Sequence, residues 1–192
     1  MKHLRGLTVL LVLALILAGC GSKIETNMSR DIQSFNFTTQ DNKTLSNKDL
    51  EGKWWIADMV FTNCTTVCLP MTANMMQLQK EAKKENLDVQ FVSFTVDPKH
   101  DTPKVLKEFA DQYGVDFSNW HFLTGYDFDK IKKISIKSFQ APVVEPPEGS
   151  DQFTHGTGFY LVNPDGEVIK KYSGAQKDDL EQIIDDLKTL QK

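Results

Sequence analysis

The chain has 192 residues, 40% of them hydrophobic and 10% aromatic, and a formal net charge of -4. That length is about one domain, and the apolar content suffices for a packed core. A mildly acidic sequence without a long basic cluster has no grip on a phosphate backbone, which excludes nucleic acid as a partner.

Lys2 and Arg5 precede an apolar run from Leu7 to Leu17, which ends in Leu17-Ala18-Gly19-Cys20-Gly21. A positive start, a short apolar centre and small residues before a cut mark a secretory signal, and the run is short for a membrane-spanning helix. A signal peptide over residues 1–19 is therefore expected. Leu17-Ala18-Gly19-Cys20 resembles the lipobox of bacterial lipoproteins, which implies cleavage before Cys20 and a diacylglyceryl group on its sulfur. Gly21 to about Ser29 are small and polar and read as part of a lipidated tether over 20–30, with the folded domain over 31–192.

From Ile32, Phe35 and Phe37 alternate with polar neighbours, and Asp41-Asn42-Lys43 makes a turn before Thr44-Leu45-Ser46, so a small hairpin is expected. Lys53 to Phe61 is a nearly continuous apolar run, the pattern of a strand covered on both faces. Met71, Met75, Leu78 and Ala82 then recur at helical spacing, which predicts a helix from Thr66 to about Glu85. Val89 to Val96 is a second strand. Asp101 or Thr102 can cap the next helix, with Pro103 in its first turn and Gly114 as its stop. A short strand at His121-Phe122-Leu123 leads to a helix carrying Phe128, Ile131, Ile134 and Ile136.

Gln140 to Thr154 contains Pro142, Pro146, Pro147 and Gly149 among acidic residues, and reads as a long exposed loop with a role of its own. Phe159 to Val162 forms a strand, Asn163-Pro164-Asp165-Gly166 a hairpin turn and Glu167 to Tyr172 the return. Leu180, Ile183, Ile184 and Leu187 mark the inner face of a closing helix. Alternating strands and helices followed by a hairpin and a helix imply an α/β fold. It is a mixed central sheet flanked by helices, thioredoxin-like, with an N-terminal hairpin.

Three cysteines are an odd number for a chain sent to an oxidising compartment. If Cys20 carries lipid, Cys64 and Cys68 remain, one helical turn apart where a strand hands over to a helix. A helix N-terminus stabilises thiolates, which makes both sulfurs nucleophiles and metal ligands. The pair can close a local disulfide, and two adjacent thiolates also suit Cu(I). A histidine would decide between redox and copper chemistry. His121 sits between Trp120 and Phe122, where a core or edge role fits. His100 lies in a charged loop and reads as solvated. His155 follows the long loop and precedes a core strand, and spacing alone leaves it open as a ligand or a structural residue. No proline directly precedes Phe159, unlike the cis-proline stretch of thioredoxins.

Three ordered motifs carry a resemblance: Phe61-Thr62-Asn63-Cys64-Thr65-Thr66-Val67-Cys68-Leu69-Pro70, Ser93-Phe94-Thr95-Val96-Asp97-Pro98-Lys99-His100-Asp101-Thr102-Pro103, and His155 ahead of Phe159-Tyr160-Leu161-Val162-Asn163-Pro164-Asp165-Gly166. Together they are similar to the signatures of the Sco (SenC) family, membrane-tethered thioredoxin-fold proteins that help assemble the copper-A centre of cytochrome c oxidase. The resemblance implies copper as Cu(I) or Cu(II), bound by Cys64, Cys68 and His155, with Asp97 as an additional oxygen ligand or else only a turn residue before Pro98. It implies cytochrome c oxidase subunit II as partner and the extracytoplasmic face of a bacterial cell membrane, through Cys20, as location. Leu69 departs from the family's usual proline after the second cysteine. The expected role is metal transfer rather than turnover. The alternative is a thiol-disulfide oxidoreductase using Cys64 and Cys68 as a redox pair; the residues that mark a peroxiredoxin cysteine are absent.

Overall fold

A computed structural model describes residues 24–66 and 68–192, without the Cys68 side chain. The expected signal over 1–19 and Cys20 lie outside the described residues. The described chain runs β1 (Arg30–Asp31), β2 (Asn36–Thr39), β3 (Thr44–Ser46), a 3-10 turn (Asn47–Leu50), β4 (Trp54–Val60), α1 (Cys68–Lys84), β5 (Val89–Thr95), α2 (Pro103–Asp111) and β6 (Trp120–Thr124). It continues through α3 (Phe128–Phe139), β7 (Val143–Val144), β8 (Thr154–His155), β9 (Gly158–Val162), β10 (Glu167–Ser173) and α4 (Lys177–Leu190).

The main sheet has the order β1-β10-β9-β4-β5-β6-β2-β3. Its centre is parallel: β4 pairs with β5 and β5 with β6, while β9 joins β4 antiparallel. Parallel strands need covered faces, and the covering follows from register. Ser93 lies beside Phe122 and Phe94 beside Leu123, so Phe122 and Phe94 point to opposite faces. Phe109 of α2 meets Phe122, and Phe139 of α3 meets Phe94, so these two helices cover opposite sides. This is the thioredoxin-like mixed sheet expected from the alternation of elements, with the expected hairpin in β2 and β3.

Local chemistry sets the boundaries. Thr102 caps α2 by accepting from the Val105 amide, and Pro103 occupies the first turn, where its missing N–H costs nothing. α1 begins at Cys68 rather than Thr66 and carries no acidic residue in its first turn. Two expectations change. In the stretch expected as a tether, Met28 donates its amide to Ile169 O, and Asn27 exchanges hydrogen bonds with the Lys171 backbone, so residues 27–28 run along β10. The stretch expected as an exposed loop folds back on itself: β7 pairs antiparallel with β8, and Ala141 and Val143 are buried. Composition marked this stretch as a loop because its prolines and acids hide two short strands that pair across nine intervening residues.

Asp101, the other capping candidate, is wholly buried and does different work. Its carboxylate accepts from the Thr62 amide at 3.2 Å, from the Thr62 hydroxyl at 2.6 Å, and from the Thr95 hydroxyl. It therefore binds the exit of β4 to the end of β5. Burial pushes its carboxyl up, and the Thr62 and Thr95 hydrogen bonds draw it back. Replacing it leaves three donors without their acceptor. Asp101→Ala is expected to destabilise the fold by about 2–4 kcal/mol in urea unfolding, with Asp101→Asn costing less.

Candidate metal and dithiol centre

The loop after β4 sits beyond the carboxyl ends of the parallel strands, the usual place for a site in a sheet of this kind. Thr62 is held by Asp101, and Cys64 follows two residues later, 6% exposed, with Sγ 3.8 Å from the Thr66 hydroxyl. Cys68 is the first residue of α1. With no acid in that first turn, the positive end of the helix is not offset locally.

His155 lies at the end of β8, 9% exposed, with its ring 5.7 Å from that of Phe61 at the exit of β4. The fold therefore brings His155 next to the strand end that launches the cysteine loop. Its Nδ1 is 3.0 Å from Gly156 O; a carbonyl only accepts, so Nδ1 carries the proton and Nε2 is the basic nitrogen. The close packing here needs small residues. A Cβ on Gly156 would lie 2.9 Å from that of Ala141, and one on Gly158 would lie 2.8 Å from the Tyr160 hydroxyl.

His100 is exposed. His121 is half-buried on β6, and burial lowers its pKa. Asp97 closes a turn: its carboxylate accepts from the His100 amide at 3.3 Å, and its carbonyl accepts from the amides of His100 and Asp101. Among the described residues no group of three or more His, Cys, Asp and Glu side chains gathers round one point; the Cys68 side chain lies outside them.

Two features were not singled out by sequence reasoning. Gln152 and Asp151 hydrogen-bond to Asn63 and Thr65, on either side of Cys64. Asp58 is buried within β4, Ser93 its hydrogen-bond partner and Oδ1 without one. Burial pushes its carboxyl up to about 7, against the Ser93 hydrogen bond and the attraction of His155. A lone acid in an apolar strand was the available signal for Asp58. Gln152 offered none.

Fold and site define a thioredoxin-like protein that presents a cysteine pair at a helix start and a histidine on an adjoining strand. Residues 24–192 match the SCO1/SenC family, and the chain belongs to it. It is 46% identical over 189 residues to the SCO1 protein homolog of Bacillus subtilis, covering 98% of this chain and 97% of that one. A SCO1/SenC family lipoprotein from Bacillus anthracis is 50% identical with a TM-score of 0.83, covering 88% of this chain and 100% of its own. BsSco, described as having a disulfide switch and as a member of the Sco family of cytochrome c oxidase assembly proteins, is 47% identical with a TM-score of 0.79, over 87% and 96% of the two chains. Copper-bound yeast Sco1 is 26% identical with a TM-score of 0.69, over 84% and 90%.

Asp58 makes stability depend on pH in a defined direction. The folded carboxyl holds its proton to about 7, whereas an unfolded aspartate releases it near 4. Its contribution is therefore fully present below about pH 4 and is lost as pH rises through about 7. The stability of the wild type relative to Asp58→Asn is expected to fall by on the order of 3 kcal/mol between pH 4 and 8, measured by urea unfolding.

Proposed function

We propose that the protein is a copper chaperone that holds its cargo on Cys64, Cys68 and His155 and serves assembly of the copper-A centre in cytochrome c oxidase subunit II. In this reading residues 1–19 are a signal peptide, Cys20 carries lipid, and the domain works at the extracytoplasmic face of the cell membrane. The observation that carries the reading is the packing of His155 against Phe61, at the strand end from which the cysteine loop departs. The copper-bound yeast relative and the Bacillus anthracis lipoprotein support it.

The donor set fits copper. Two thiolates and a neutral imidazole are soft ligands suited to Cu(I), and an added oxygen from Asp97 or water suits Cu(II). The hydrogen bond from His155 Nδ1 to Gly156 O leaves Nε2 as the coordinating atom. The cysteines must be deprotonated and reduced to bind, so metal occupancy and a Cys64–Cys68 disulfide exclude one another.

A second reading, reduction of the oxidase cysteines by thiol-disulfide exchange, is favoured by the disulfide switch described for BsSco. His155 separates the two, because disulfide exchange needs only the thiols. In titrations of the reduced protein with Cu(I) against a chromophoric chelator, His155→Ala is expected to weaken binding more than about 100-fold, beyond the usual cost of losing an outer partner. Its disulfide should still form and be reduced. Unchanged copper affinity in His155→Ala rejects the chaperone reading in favour of the redox one.

A further inference from the structure

The segment ahead of His155 docks on the cysteine loop residue by residue. Asn63 donates its side-chain amide to Asp151. Gln152 Oε1 accepts from the Thr65 amide and hydroxyl, each at 3.2 Å. Gln152 Nε2 donates to Asn63 O at 2.9 Å and to Asp151 Oδ1 at 2.7 Å. Phe153 places its ring 5.7 Å from Phe61, and also 5.7 Å from Phe128 of α3. Two polar residues and then an aromatic one thus bind the loop before the chain reaches His155.

Gln152 holds a special place in this arrangement. Asn63 and Thr65 are the two neighbours of Cys64, and Gln152 grips the carbonyl of one and the amide of the other. A backbone carbonyl needs a donor and a backbone amide needs an acceptor, and a primary amide supplies both from one side chain. Glutamate would satisfy the Thr65 amide but set a negative oxygen against Asn63 O. Methionine would fill the space and satisfy neither.

We infer that Gln152 is a positioning residue, whose side-chain amide clasps the backbone on both sides of Cys64 and fixes the dithiol loop relative to His155. The inference rests on the copper reading of this site. Residues 63–66 make no strand pairing and precede α1, and side-chain hydrogen bonds from Asp151 and Gln152 reach them at Asn63 and Thr65. Asp101 anchors the start of this stretch at Thr62, and Gln152 anchors it at Asn63 and Thr65. The clasp belongs to the same short segment that ends in His155, so its three residues of separation set how far the histidine can stray from the thiol.

The test compares the full-length reduced wild type with Gln152→Met and Gln152→Glu, using Cu(I) competition with a chromophoric chelator and urea unfolding. Gln152→Met is expected to weaken Cu(I) binding roughly 10- to 100-fold, the usual cost of losing a partner that orients a ligand, with the urea midpoint at the wild-type value. Gln152→Glu, which keeps the Thr65 half of the clasp, is expected to fall between them. Alkylation of metal-free Cys64 by iodoacetamide in a Cys68→Ser background is expected to quicken several-fold with Gln152→Met, because loosening the loop exposes a buried sulfur. Unchanged copper affinity in Gln152→Met overturns the inference, and so does an affinity loss matched by a fallen urea midpoint. If the wild type takes up no Cu(I), the proposed function fails separately, and an unchanged alkylation rate then overturns the clasp.

Discussion

The carboxylate of Asp101 is the tie on which the working end of the molecule depends. It is wholly buried and accepts from Thr62 just after β4 and from Thr95 at the end of β5. Tyr126 extends the tie by donating its hydroxyl to both Thr95 O and Leu123 O, which joins the ends of β5 and β6. Three parallel strands thus finish at one hydrogen-bonded platform. A loop that leaves such a platform starts from a defined point, and Cys64 is only two residues further on.

Burial gives the site its chemical character. Cys64 and His155 are nearly covered, so charge there is only weakly screened by water and depends on neighbouring groups. The start of α1 supplies a positive end without a compensating acid, which favours thiolates, and thiolates favour soft metal. The same sulfurs are competent for disulfide exchange. On the proposed copper reading, redox state and metal occupancy are alternatives at one site, because a disulfide leaves no thiolate to bind metal.

Asp58 is a different kind of feature, because it costs stability. A carboxyl buried in β4 with Ser93 as its hydrogen-bond partner keeps its proton up to about pH 7. Trp120 donates its indole N–H to the same Ser93 hydroxyl, so the group sits at the end of a short polar chain within an otherwise apolar layer. A protein that keeps such a residue in its central strand gives up stability at and above neutral pH.

The strands and helices were legible in the sequence because their signals are local. The apolar run before Cys64, the helical spacing of Met71, Met75, Leu78 and Ala82, and the turn residues from Asn163 to Gly166 each lie within one element. The placement of Cys64 and Cys68 at a strand-to-helix junction and of His155 before a core strand followed from the same patterns. What the sequence hid depends on partners far away in the chain. Asp101 looked like a helix cap because its neighbours are Thr102 and Pro103, and only folding sets it against Thr62, 39 residues earlier. Gln152 lay among prolines and acids that spell loop, and its grip on Asn63 spans 89 residues. Periodicity reports which face of an element is buried; which hydrogen-bonding groups meet across the fold is decided by tertiary packing alone.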